Sequence, residues 1–96
     1  MLERTLVRKI KFALEDAGAK IIKHHGSQFS RAGTPDLLGC YRGYMIAIEV
    51  KVHPNKPTIL QEQELTQWAH AGAYTAVAYC VEDALDVITC INRREQ

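Results

Sequence analysis

Residues 33–51, GTPDLLGCYRGYMIAIEVK, decide the fold of this 96-residue chain. The second half of the stretch predicts a strand, because apolar side chains recur at alternate positions and successive side chains of a strand point to opposite faces of a sheet. One face is a core face and carries Tyr44, Ile46, Ile48, Val50 and Val52. The other face carries Ala47, Glu49 and Lys51, so it places a carboxylate beside an ammonium group.

The first half of the stretch predicts the partner strand of a hairpin. Residues 36–41 are followed by an Arg-Gly dipeptide, which is typical of a tight turn into Tyr44. A two-residue loop pairs Tyr41 with Tyr44 and places Asp36 directly opposite Glu49, with Cβ atoms roughly 4.5–5.5 Å apart. A four-residue loop would leave the two carboxylates as diagonal neighbours, whereas a three-residue loop would put them on opposite faces.

This carboxylate pair predicts a cation site. Two carboxylates at that distance repel each other unless a cation lies between them, and their oxygens are the ligands of a hard ion such as Mg2+. Lys51, one pleat further along, would contact a phosphate or a metal-bound water. The alternative is an exposed cross-strand pair with Lys51 as counter-ion, which is disfavoured because like charges directly opposite destabilise a hairpin.

Two motifs in this order resemble those of the PD-(D/E)xK nuclease superfamily: Gly33-Thr34-Pro35-Asp36 and Ile48-Glu49-Val50-Lys51. The compact spacing, with Gln61 and then Ala71-Gly72 downstream, is similar to the virus-type replication-repair nuclease (VRR-NUC) branch. The resemblance covers residues 3–79, nearly the whole chain. Each motif is common by itself, but their combination in so short a protein is specific.

The resemblance implies metal-dependent hydrolysis of a phosphodiester. Mg2+ or Mn2+ would be held by Asp36, Glu49 and the main-chain carbonyl of Val50, and would polarise the phosphate and acidify the attacking water. Lys51 would position or deprotonate that water, or stabilise charge in the transition state. Glu3 and Gln61 would complete the ion's shell directly or through waters.

Glu3 lies in a predicted helix over residues 2–17 that ends at Gly18. It falls on the apolar stripe of that helix rather than opposite the stripe. A favourable charge in the first helical turn would explain it by itself. The inward position and the family's carboxylate on the first helix favour a role in the site.

Gln61 belongs to a predicted capping box in which Thr58 is the N-cap of a helix that runs to about Ala71. It falls on the same stripe as the apolar residues of this helix. Capping alone would explain the residue, whereas the resemblance assigns it a role in ordering the site. Gln63 is the next candidate if the register slips.

The loop over residues 26–35 is polar and rich in glycine. Ser27, Ser30 and Arg31 have the chemistry to bind a phosphate backbone, although solvation of the loop explains them equally well. Lys56, in the loop after the hairpin, is a further candidate for nucleic-acid binding. His24 and His25 cannot serve one ion together, because adjacent residues of a strand point to opposite faces.

The element order is helix, three strands, helix, strand, helix, with the last strand over residues 74–80 and the last helix over 82–92. This order predicts an α/β sandwich with a mixed sheet of about four strands, in a single domain over residues 1–96. Three cysteines without CxxC spacing argue against a disulfide framework or structural zinc. We expect them to be buried as small apolar side chains.

Composition is that of an ordinary globular protein, with 47% hydrophobic and 24% charged residues. A net charge of +1 does not by itself predict binding to nucleic acid. No apolar run reaches membrane-spanning length and the N-terminus is not a signal peptide, so a cytoplasmic location is expected.

The predicted function is a metal-dependent, structure-selective DNA endonuclease, with a Holliday-junction resolvase as the leading interpretation. A homodimer would supply the two symmetric incisions that such a junction needs. A flap or single-strand repair nuclease is the alternative within the same chemistry. A nucleic-acid-binding module without turnover would not need the Asp/Glu/Lys set, and a protein-interaction domain has no positive signal beyond Trp68.

Overall fold

The computed structural model describes residues 1–25 and 31–94 of the chain. In chain order its elements are α1 (Glu3–Asp16), β1 (Lys20–Lys23), β2 (Leu37–Tyr41), β3 (Tyr44–Val50), α2 (Ile59–His70), β4 (Tyr74–Ala78) and α3 (Val81–Arg94). This is the predicted order of an α/β fold. None of these helices is long and apolar enough to cross a membrane.

The four strands form one mixed sheet in the order β1-β2-β3-β4. The first three are antiparallel neighbours, whereas β3 and β4 are parallel and are joined by α2. Tyr41 pairs with Tyr44 across a two-residue turn, as expected. Arg42 and Gly43 have φ values of 51° and 86°, and positive φ at both central positions is the turn geometry that matches the twist of a hairpin.

The main core lies between one face of the sheet and the helices α1 and α3. The alternating apolar residues of β3 pack against the apolar stripe of α1, so both sets of side chains are buried in the same layer. The buried side chains at the centre of this layer include Ile10, Leu14, Ile21, Leu37, Ile46, Ile48, Val50 and Ile91.

The opposite face of the sheet is covered only in part. α2 packs against β3 and β4 on this side, so every residue from Ile46 to Val50 is buried and β3 is a strand with two covered faces. Among the described residues no helix packs on this side of β1 and β2, and Ile22 is 56% exposed there. The site therefore lies where the covered part of this face meets the open part.

Two details of the sequence prediction are wrong. The strands are shorter than expected, since β1 ends at Lys23, β3 at Val50 and β4 at Ala78. The cysteines are not buried: Cys40 and Cys90 are exposed and Cys80 is half-buried. Cys40 lies on the uncovered face of β2, and Cys90 lies off the buried stripe of α3, so neither has a layer to pack under.

One glycine is required by close packing between strands. A Cβ at Gly39 would overlap the carbonyl oxygen of Lys20 and lie 2.7 Å from Cδ1 of Ile21. Gly39→Ala should therefore lower the melting temperature by more than about 10 °C, since overpacking of this kind costs a few kcal/mol in a domain of this size.

Gly43→Ala is the matched control, because Gly43 has a positive φ but no atom within 4 Å of an added Cβ. It should cost only the backbone strain of about 1–2 kcal/mol. Equal losses in the two variants, measured by circular dichroism, would contradict the close-approach explanation.

Candidate active site

The hairpin register brings Asp36 opposite Glu49. Leu37 pairs with Ile48, and the same register continued by one residue places the two carboxylates side by side beyond the last pair. The Asp36 Oδ2 atom accepts a hydrogen bond of 2.8 Å from the Val50 amide. The Asp36 carbonyl accepts another of 2.8 Å from the His24 amide. Asp36 is thus held on both sides by neighbouring strands.

Glu49 is the one buried charged group at the centre of this face among the described residues. It is 1% exposed, so the exposed carboxylate pair considered from the sequence is wrong. The Lys51 Nζ atom lies 3.5 Å from Glu49 Oε2, whereas Oε1 is buried without any hydrogen-bond partner. A buried, unpartnered carboxylate oxygen is costly and is rarely retained without a ligand.

The environment of Glu49 favours its protonated form. Burial is the largest cause, the nearby Asp36 charge is the next, and Glu3 adds a smaller effect, while Lys51 acts in the opposite direction. Together they raise the pKa of Glu49 to about 7. A cation next to Oε1 would reverse this balance, because it favours the carboxylate.

The Val50 carbonyl faces the same side as Asp36. In an extended strand the N–H and C=O of one residue point to the same edge, and the Val50 N–H points at the Asp36 carboxylate. The Lys51 amide points the other way and donates to the Ala78 carbonyl of β4 at 3.0 Å. The backbone thus places an uncharged carbonyl oxygen beside the two carboxylates.

The structure places Glu3 near Glu49 and Gln61 in the capping box at the start of α2. Glu3, at the start of α1, is half-buried and its charge acts on Glu49. Gln61 forms the predicted capping box. Its main-chain N–H donates to Thr58 Oγ1, and its side-chain Oε1 accepts from the main-chain N–H of Thr58. Its side-chain oxygen is therefore engaged at the helix end, and Gln63 is exposed.

Within residues 1–25 and 31–94, no three His, Cys, Asp or Glu side chains converge on one point that could hold a metal ion. The groups that could hold a cation directly are the Asp36 and Glu49 carboxylates and the Val50 main-chain carbonyl, which are hard oxygen ligands of the type that Mg2+ binds while keeping several waters. This set fits a hydrated divalent cation. Glu3 would join it through a water, as the sequence prediction allowed.

Residues 31–35, which lead into Asp36, contact α2. A Cβ at Gly33, whose φ is +81°, would lie 2.7 Å from the Leu60 carbonyl oxygen. Arg31 Nε donates to Glu64 Oε2 at 2.8 Å, and this ion pair joins a guanidinium that is 68% exposed to a carboxylate that is 10% exposed. These two contacts hold the approach to Asp36 in place.

Of the predicted phosphate-binding residues, Arg31 is paired with Glu64 and Lys56 is exposed. Ser27 and Ser30 lie outside the described residues. The bond from the His24 amide to Asp36 continues the pairing of β1 with β2, so it is His24 rather than His25 that shares a sheet face with Asp36. No role for either histidine follows from this position.

Sequence reasoning missed Glu64 and Tyr79. Glu64 is 8% exposed and is a charged residue at a buried position of α2. The helical pattern of the sequence could have shown this residue, because it places a charge among the inward-facing positions of α2. Tyr79 lies beside Lys51 only because of the parallel register of β3 and β4, which the sequence does not show.

Comparison with known proteins shows the family and the fold of this chain. The family model of the archaeal Holliday junction resolvase (Hjc) matches residues 2–92. A solved "VRR_NUC domain" structure is 28% identical, covers 91% of this chain and 94% of its own, and has a TM-score of 0.73. A "VRR_NUC domain protein" is 21% identical, covers 93% and 86%, and has a TM-score of 0.72, which shows the shared fold.

No curated protein matches this chain. The VRR-NUC resemblance inferred from the motifs is confirmed by the solved structures. Because the resolvase model spans nearly all of the residues that build the sheet and the site, the chain belongs to the archaeal Holliday junction resolvase (Hjc) family, a family of PD-(D/E)xK-type nucleases.

Proposed function

We propose that this protein is a divalent-metal-dependent endonuclease that cleaves branched DNA as a Holliday junction resolvase. The observation that carries the proposal is the buried Glu49 carboxylate, which has one oxygen paired with Lys51, the other without a partner, and Asp36 directly opposite. The family name supports the junction as substrate.

Mg2+ or Mn2+ held by Asp36, Glu49 and the Val50 carbonyl would neutralise charge on the phosphodiester and make an attacking water more acidic. Asp36 presents one carboxylate oxygen in a fixed direction, because its other contact is the Val50 amide. Lys51 is only 13% exposed, so its ammonium group meets a phosphate with little screening by solvent. It would orient the phosphate and stabilise the charge that develops on it.

Substrate choice must come largely from DNA shape. One small domain with one site has little room for base-specific readout in the grooves. A homodimer with two sites at a fixed separation is the simplest way to recognise a two-fold branched substrate and incise both strands.

The first test is a cleavage panel of four-way junction, flap, single-stranded and linear duplex DNA. We expect paired symmetric nicks at the branch point of the junction with Mg2+ or Mn2+, no turnover with Ca2+, and none in EDTA. Sedimentation should give a dimer. Cleavage that survives chelation would rule out the metal mechanism, and a monomer that prefers flaps or single strands would indicate a repair nuclease.

Variants separate the roles of the site residues. Glu49→Ala should abolish cleavage and weaken Mn2+ binding, whereas Lys51→Ala should abolish cleavage and retain Mn2+, as measured by calorimetric titration. Asp36→Ala should lose both, and should also lower stability by about 1–3 kcal/mol because the Val50 amide loses its acceptor. Lys9→Ala, an exposed lysine of α1, is the control. Loss of metal in Lys51→Ala with retention in Glu49→Ala would reverse the assignment.

The raised pKa of Glu49 also predicts how stability depends on pH in EDTA. Between the ordinary value of 4.5 and about 7 the folded protein holds a proton that the unfolded chain has lost. The free energy of unfolding should therefore fall as pH rises through this window, by on the order of 2–3 kcal/mol.

Glu49→Gln should remove that slope and be more stable than the wild type at pH 8, whereas Asp86→Asn, at an exposed site on α3, should not. Saturating Mn2+ should restore stability to the wild type at pH 8 and leave Glu49→Gln little changed. Denaturant titrations at a series of pH values measure this. An unchanged slope in Glu49→Gln would show that Glu49 is not the group responsible.

A further inference from the structure

An aromatic stack adjoins the site at the carboxyl ends of β3 and β4. Val50 pairs with Ala78, and the Lys51 amide continues the ladder by donating to the Ala78 carbonyl at 3.0 Å. The parallel register therefore places Tyr79 beside Lys51. Lys51 lies on the side of the sheet that carries Glu49, because its Nζ atom is 3.5 Å from Glu49 Oε2, and Tyr79 directly follows the last residue of β4.

His53 stacks on the Tyr79 ring. The ring centroids are 4.2 Å apart and the planes differ by 17°, so the two rings are nearly parallel. The Tyr79 hydroxyl donates to the Asn55 carbonyl at 2.9 Å, which ties the loop to the end of β4. His53 is exposed although one face of its ring is covered by Tyr79.

The stack is not part of the hydrophobic core, which includes neither ring. The hydrogen bond of the Tyr79 hydroxyl is enough to hold the loop at Asn55. Holding the loop therefore does not explain why the exposed His53 ring stacks on the Tyr79 ring. The tyrosine hydroxyl is used internally, and the surface left to a ligand is mainly aromatic. Lys56, three residues after His53, adds an exposed cation in the same loop.

We infer that the His53–Tyr79 stack is a platform for an unstacked nucleobase next to the scissile phosphate. The inference rests on the proposed function, because Lys51 beside the stack marks where that phosphate would lie. Aromatic side chains bind unpaired bases of any sequence by stacking, and neighbouring cations contact the backbone. Bases at a branch point can be unstacked at lower cost than those of a continuous duplex, so the platform would favour branched DNA.

The test measures binding in EDTA, where no cleavage is expected. Four-way junctions carry 2-aminopurine at positions flanking the branch point, and stacking on an aromatic ring quenches its fluorescence. The wild type should quench at one of these positions. His53→Ala should lose the quenching and bind the junction at least about fivefold more weakly, with affinity for linear duplex unchanged.

His53→Phe should restore both quenching and affinity, because it keeps a flat ring and removes the imidazole nitrogens. His70→Ala, an exposed histidine at the end of α2, is the matched control. Wild-type quenching and affinity in His53→Ala, or failure of His53→Phe to rescue, would overturn the platform. So would a wild-type protein that does not bind the junction.

These outcomes are distinct from those of the proposed function. A protein that binds junctions with His53-dependent quenching but never cleaves DNA would contradict the nuclease proposal and leave the platform standing. A protein that cleaves junctions while His53→Ala behaves as the wild type would contradict the platform alone.

Discussion

The arrangement of this molecule depends on two carboxylates held opposite each other on a hairpin, one of them buried. The Val50 amide holds Asp36 in position. The sheet and α2 together remove Glu49 from water, and Lys51 satisfies only one of its oxygens. The two carboxylates repel each other, so the surrounding packing has to hold them together.

That packing comes from both sides of β3. The layer of α1 and α3 anchors one face of the strand in the main core, while α2 closes the other face above Glu49. A site mounted on a central strand moves little, which suits a reaction that needs its ligands in fixed positions. The uncovered face over β1 and β2 leaves the same site open to a large substrate.

Contacts remote in sequence fix the approach to the site. The Arg31–Glu64 ion pair and the close approach of Gly33 to Leu60 attach the segment before Asp36 to α2. The Tyr79 hydroxyl attaches the loop after Lys51 to the end of β4. The segment before Asp36 and the segment after Lys51 are thus each held by an element that follows them in the chain.

Much of this protein could be predicted from its sequence, because the deciding signals are local. The period-two pattern of β3, the Arg-Gly turn and the capping box at Thr58 predicted the hairpin register and the order of elements. From that register the placement of Asp36 next to Glu49 followed directly, since they are the positions one residue beyond the Leu37–Ile48 pair.

Only the tertiary structure decided how deeply the site is buried and what surrounds it. Glu49 is buried because α2 packs against β3, and Cys40 is exposed because no helix in the described part of the chain covers its face of β2. The pairing of Arg31 with Glu64 and the stacking of His53 on Tyr79 join residues more than 25 positions apart. No periodicity within one segment encodes such contacts, because they arise from the way separate layers meet.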